Sequence, residues 1–213
     1  MPMRALVLAG GLLTMSTICP AQSTEDLEAL FWARQDSVID RFSEADVAFM
    51  TGMIGHHAQA LIMSRLAPEN GASPAVQTLA ARIINAQNDE IRIMQRWLED
   101  RGQSVPQVHI EGLNLMIHTT NGHHDGHHDM PGMLTMEQLQ ELEQAQGADF
   151  DRLFLRYMIQ HHRGAVTMVR DLLATDGAVR HDATYKLATD IHVDQITEIE
   201  RMQQMLAATI TGQ

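Results

Sequence analysis

The chain has 213 residues, of which 45% are hydrophobic, 20% charged and only 4% aromatic, enough apolar mass for one core of ordinary size with few large rings to fill it. Fifteen Lys and Arg against 27 Asp and Glu leave a formal net charge of −12, a surface that repels phosphate backbones and anionic lipid and argues against nucleic acid as a partner. One cysteine, Cys19, rules out a disulfide framework, a Cys-ligated zinc or iron–sulfur site and a thiol relay, whereas 15 Met and 12 His exceed what folding requires.

At the N-terminus Arg4 precedes the uncharged run Ala5 to Ile18, and small and polar residues resume at Cys19-Pro20-Ala21-Gln22-Ser23. This pattern predicts a secretory signal peptide over residues 1–21, cut after Ala21. The run is too short for a stable membrane helix, which needs about 20 apolar residues, and no later segment reaches that length. An exported protein, periplasmic in a Gram-negative cell, follows. Ser16-Thr17-Ile18 lacks the small residue expected before a lipidated cysteine, so cleavage at Ala21 is favoured over an anchor at Cys19. Soft-metal chemistry in the exported chain would then fall to Met and His.

Residues 22–42 read as an N-terminal helix with Leu27, Leu30, Phe31, Val38 and Phe42 on its apolar side. A first helical hairpin is predicted over 43–102: Ser43 with Asp46 caps its start, Pro68 and Asn70-Gly71 break it, Ser73-Pro74 opens the second helix and Gly102 ends it. Residues 103–134 contain Gly, Pro and His but no sustained period, and are expected to be a long connection without regular structure. The second hairpin is predicted over 135–213. Thr135-x-x-Gln138 caps a short helix ending at Gly147, a long helix runs from Asp149 to Thr175, Asp176-Gly177 turns, and the last helix covers Arg180 to Ala208.

These hairpins are copies. Phe49 to Ala60 aligns without gaps on Phe154 to Ala165 at an offset of 105 residues, and Gln87 to Met94 aligns on Gln195 to Met202 at 108. The expected fold is all-α: a ferritin-like four-helix bundle built from two repeated hairpins, with an N-terminal helix and a His/Met-rich connection, 43–213 forming one domain.

Met-x-x-His-His occurs once in each copy. At about 100° per residue, Met50, Met53, His56, His57 and Met63 share one side of a helix, as do Met158, His161, His162 and Met168, with Leu155 in place of the outer methionine. On the partner helices Gln87, Glu90 and Met94, and Gln195, Glu198 and Met202, share faces that Ile91 and Ile199 mark as buried. Two readings compete: satisfied His–Glu pairs with methionine as core filler, or a metal site in which Gln, Glu and Met of the partner helix are ligands or orient the imidazoles. In the second reading Met53, His56, His57 and Glu90 converge between the helices of the first hairpin, and Met158, His161, His162 and Glu198 in the second. Thioether with imidazole suits Cu(I). A di-iron site would need Glu-x-x-His, which is absent.

The connection holds a different cluster: His109, Met116, His118, His123, His124, His127, His128, Met130, Met133 and Met136. Imidazoles in a flexible segment bind Cu(II) or Zn with little selectivity, or serve as a solvated linker whose metal affinity is incidental.

Phe49-Met50-x-x-Met53-Ile54-x-His56-His57-x-x-Ala60, its copy ending His161-His162-x-Gly164-Ala165, Met130-Pro131-Gly132-Met133 and Gly147-x-x-Phe150-Asp151 together resemble the exported ferritin-like four-helix family catalogued as a domain of unknown function, which includes periplasmic CopM-type copper-binding proteins. The resemblance spans roughly residues 43 to 207. It implies a Met/His-ligated copper-binding role in metal tolerance, carried onto Met50, Met53, His56, His57, Met158, His161, His162 and Met168, with other periplasmic copper-handling proteins as partners. No nucleophile elbow, phosphate loop or triad spacing is visible, so binding is expected rather than catalysis. An oxidase-type metalloenzyme and a structural or partner-binding bundle with core histidines are the alternatives.

Overall fold

The computed structural model describes residues 23–39, 42–119, 122–123 and 130–211; the predicted signal peptide lies outside them. The chain divides into two compact units, Met1–Asp36 and Ser37–Gln213. The described part of the first belongs to helix α1 (Thr24–Ile39), where Leu27, Leu30, Phe31 and Trp32 are all more than half exposed.

The second unit contains four long helices: α2 (Glu44–Arg65), α3 (Pro74–Glu99), α5 (Gly147–Ala174) and α6 (Asp182–Thr211). Between the two hairpins lie strands β1 (Gln107–Glu111), β2 (Asn114–Thr119) and β3 (Gly122–His123) and the short helix α4 (Met136–Gln144). Local chemistry fixes the helix starts. Ser43 and Asp46 form a reciprocal capping box, Ser73 caps Val76 with Pro74 in the first turn, and Thr135 and Gln138 cap α4. Gly147 does not end α4, as the sequence suggests. That helix stops at Gln144, and Gly147, at φ 56°, opens α5 while its N–H donates to the Asn70 carbonyl at 2.8 Å. The left-handed conformation there is open to glycine at little cost.

The described part of residues 103–134 is not an irregular connection. The strands pair antiparallel in the order β1-β2-β3, with Val108 opposite Ile117 and Ile110 opposite Leu115. Gln107-Val108-His109-Ile110-Glu111 alternates polar and apolar residues, a period-2 pattern that the surrounding Gly and His obscure. The apolar side of this sheet packs on the bundle: Ile117 is buried, and Val108, Ile110 and Leu115 lie against its core.

Two apolar clusters make up that core. One joins Ala60, Ile62 and Met63 of α2, Val76 to Ile83 of α3, Phe150 to Ile159 of α5 and Met202 of α6. The other joins Phe49 to Ile54, Ile91 to Leu98, Ala165 to Leu172, and Ala188 with Ile191. The first half of α2 therefore lies beside the second half of α5, so the two helices run antiparallel. The paired histidines fall between the clusters.

Every residue of α2 from Met53 to Ser64 is buried, so this stretch has no solvent face for an amphipathic stripe to define. Its third side is covered by the sheet and by the segment Met130 to Leu134. The matching side of α5 is open, and the sequence records the difference. Gly55 and Ala58 are buried, while their counterparts Gln160 and Arg163 are exposed. Segment 130–134 touches α5 backbone to backbone. A Cβ on Gly164 would lie 1.8 Å from the Pro131 carbonyl oxygen, and one on Gly132 would lie 2.6 Å from that of Gln160. On the α2 side, the Gln59 amide donates to the Leu134 carbonyl at 3.0 Å and accepts from its N–H at 2.7 Å.

Asp46 ties the start of α2 to the turn before α6. Its buried carboxylate accepts from the Ser43 N–H and from the N–H of Val179, each at 2.8 Å, and Val179 adopts φ 50°. Asp46→Ala removes both bonds and is expected to cost about 2 kcal/mol, lowering the melting temperature by about 4–8 °C in a circular-dichroism melt.

Candidate metal centre

His56, His57, His161 and His162 are all fully buried. The second histidine of each pair points into its own hairpin: His57 Nε2 meets Glu90 Oε2 at 2.6 Å, and His162 Nε2 meets Glu198 Oε2 at 2.6 Å. A carboxylate accepts, so each ring carries its proton on Nε2 and its lone pair on Nδ1. The first histidine does not stay within its hairpin, contrary to the sequence reading. His56 and His161 face each other where α2 crosses α5, ring centroids 3.9 Å apart and tilted by 39°. They are one residue, about 100° around the helix, away from the His–Glu face, on the side that meets the other copy. His56 Nε2 donates to the Pro131 carbonyl at 3.0 Å, which leaves its lone pair on Nδ1 as well.

The Nδ1 atoms of His56, His57 and His162, and both ring nitrogens of His161, have no hydrogen-bond partner. Gln87, also buried, lacks a partner for either amide atom, and Gln195 lacks one for Oε1. Each such orphan costs about 1–3 kcal/mol unless something pairs with it.

Burial pushes His56 down to about 3, helped by His57 and His162 and opposed by the bond to Pro131. His161 lies well below the usual histidine range for the same leading reason, with His56, His162 and His57 adding to it and the main chain of His56 opposing. Both rings are therefore neutral at pH 7, with lone pairs free to bind a cation. On the outer wall the Asp194 carboxyl is held above its ordinary value, first by partial burial and then by Glu90, Glu198 and Asp190, so the approach to the buried layer is acidic.

The methionines divide differently from the sequence sets. Met50, Met53 and Met94 are buried in one apolar cluster, with Met168 of the other copy half-buried against it. Met63, Met158 and Met202 share the opposite cluster, where Leu155 takes the place equivalent to Met50. Met63 is ten residues beyond Met53, about 15 Å along the axis at about 1.5 Å per residue, and antiparallel packing places it with Met158. Met63 and Met168, each the last methionine of its repeated helix, thus lie in the cluster of the other copy.

The connection's described residues do not form one cluster. His109 and His118 are exposed on the strands, His109 pairs with the half-buried Met116, and His118 pairs in register with His123. His124, His127 and His128 lie outside the described residues. Met133 is buried, Met136 is half-exposed at the start of α4, and half-buried Met130 brings its sulfur within 3.3 Å of where a Gly52 Cβ would stand. Sequence reasoning missed Pro131 and Gln59. Gly55 and Ala58 were the available signal that a covering segment crosses α2.

Among the described residues no group of three or more His, Cys, Asp and Glu side chains could hold an ion. The thioethers are the further soft donors of this core. The class of protein so defined is a four-helix bundle with a buried histidine layer between two methionine-containing clusters.

The chain belongs to the family described as domain of unknown function DUF305, whose model matches residues 46–206. It is similar to the crystal structure of a DUF305 fragment from Deinococcus radiodurans, at 29% identity and TM-score 0.63, over 78% of this chain and 97% of that one. It is also similar to CopM in the Cu(II)-bound form, at 31% identity and TM-score 0.56 over 76% and 95% of the two chains. For CopM in the Cu(I)-bound form the values are 29%, 0.54, 75% and 94%. No curated protein matches.

A neutral buried His56 makes stability depend on pH. Its folded pKa, about 3, is below the unfolded 6.5, so the unfolded chain binds the extra proton and stability is lost as pH falls from 6.5 toward 3. By pH 5 this group alone should remove about 2 kcal/mol, lowering the melting temperature by about 4–8 °C from its value at pH 7. His56→Gln, which keeps a donor for Pro131, should flatten that slope in melts recorded across the same range.

Proposed function

We propose that this protein binds copper within its bundle after export, sequestering the ion or handing it on as part of metal tolerance. One observation carries the reading: three fully buried imidazoles each have the Nε2 proton engaged, by Glu90, Glu198 or Pro131, and an Nδ1 lone pair with no partner. Carboxylate–histidine pairs of this kind fix the tautomer and raise the basicity of a metal-binding nitrogen. The ion is cargo. Relatives solved as CopM with Cu(I) and Cu(II) support copper as its identity.

Softness divides the donors. Imidazole with thioether in the bundle favours Cu(I), with the fully buried Met50, Met53, Met63, Met94, Met158 and Met202 as its sulfur donors, while His109 and His118 on the strands suit Cu(II) or Zn. Glu90 and Glu198 act by orienting His57 and His162. The reading assigns no reaction to the chain; its partners are metal ions and other copper-handling proteins of the periplasm. No described helix is long and apolar enough to cross a membrane.

The test is a competition titration of the untagged chain against a Cu(I) chelator, repeated with Zn. Replacing both Glu90 and Glu198 by Gln should weaken Cu(I) by about 10–100-fold with the helical signal retained. Replacing Met53 and Met158 by Leu, which preserves volume, should weaken Cu(I) more than Zn. Equal loss of both ions, or no loss of Cu(I), would reduce the methionines to packing.

A further inference from the structure

Two methionines that the sequence places far apart, one in the connection and one at the end of a repeat, meet over a glycine inside a helix. Gly52 lies in the middle of α2, where a helix disfavours glycine. A Cβ there would meet Met130 Sδ at 3.3 Å and Met168 Cε at 3.4 Å. Its counterpart in the other copy is Tyr157, a half-buried ring whose hydroxyl bonds Glu141. At one of two related positions a large side chain stands; at the other even the Cβ is missing, and the Met130 sulfur and the Met168 methyl occupy the space.

Met130 is held there by fixed backbone. The residues after it are pinned by the Gly132–Gly164 approach, by His56 on the Pro131 carbonyl and by Gln59 on Leu134. Both thioethers are half-buried, so solvent reaches them, whereas the imidazoles one residue away through Pro131 are sealed. Thioethers select soft monovalent ions over Zn.

We propose that Met130 and Met168, over Gly52, form a separate surface site for a soft monovalent cation. Its role as the first stop for ions bound for the buried imidazoles rests on the copper-binding reading; the site itself does not. The test uses the full, untagged chain with isotope-labelled methionine methyl groups and imidazole nitrogens, titrated with Ag(I), a soft ion without redox chemistry, and separately with Zn. The Met130 and Met168 methyl signals are expected to shift together in the first equivalent of Ag(I), before those of Met53 and Met158, and to stay still with Zn. A Met130→Leu, Met168→Leu double variant should keep its helical signal and bind one Ag(I) fewer. Gly52→Ala, which pushes a methyl between the thioethers, should lose the same equivalent. Unmoved Met130 and Met168 signals at saturating Ag(I), or a shift only after the buried methionines, would overturn the site. Shifted Met130 and Met168 with silent imidazole nitrogens would uphold it while refuting the buried copper centre.

Discussion

Four imidazoles sealed from water where α2 crosses α5 set the condition to which the rest of the fold answers. Burial first, and the neighbouring imidazoles after it, drive His56 and His161 to the neutral form, so these two rings avoid the large cost of buried charge and retain their lone pairs. Glu90 and Glu198, each with an edge in water, engage one proton apiece. The apolar clusters on either side keep the layer dry. An apolar core of the same volume would fold more easily, since unpartnered nitrogens and the buried Gln87 work against stability.

The two copies share a layout and differ in covering. Around α5 the helix has a solvent face with Arg156, Gln160 and Arg163; around α2 that face is closed by the sheet and by residues 130–134. The covering segment needs Gly164 where the first copy has Gln59, because one position must admit a backbone and the other must grip one. The imidazoles inherit this asymmetry. His56 is tied to the Pro131 carbonyl of the covering segment, whereas its counterpart His161 is set against the main chain of His56.

Much of this was legible in the residues. Capping pairs at Ser43, Ser73 and Thr135, the breaks at Asn70-Gly71 and Asp176-Gly177, and the two Met-x-x-His-His segments defined the bundle, because helix ends and repeats are local in sequence. The His57–Glu90 and His162–Glu198 faces were readable for the same reason. What escaped was long-range. Helical angles locate a side chain on its own helix but not the helix that faces it, so the meeting of His56 with His161 and the crossing of Met63 and Met168 into opposite clusters were out of reach. The strand alternation of residues 107–111 was present but masked by the residue types around it.

The crossing of those two methionines has a kinetic side. Because each thioether set takes a member from the other hairpin, neither set is complete until the two repeats, offset by 105 residues in the chain, have docked. Closing so long a loop comes late compared with forming a hairpin. An isolated first hairpin would hold His57 and Glu90 but no completed donor set, so the ability to trap an ion appears only with the final docking event and reports on the finished fold.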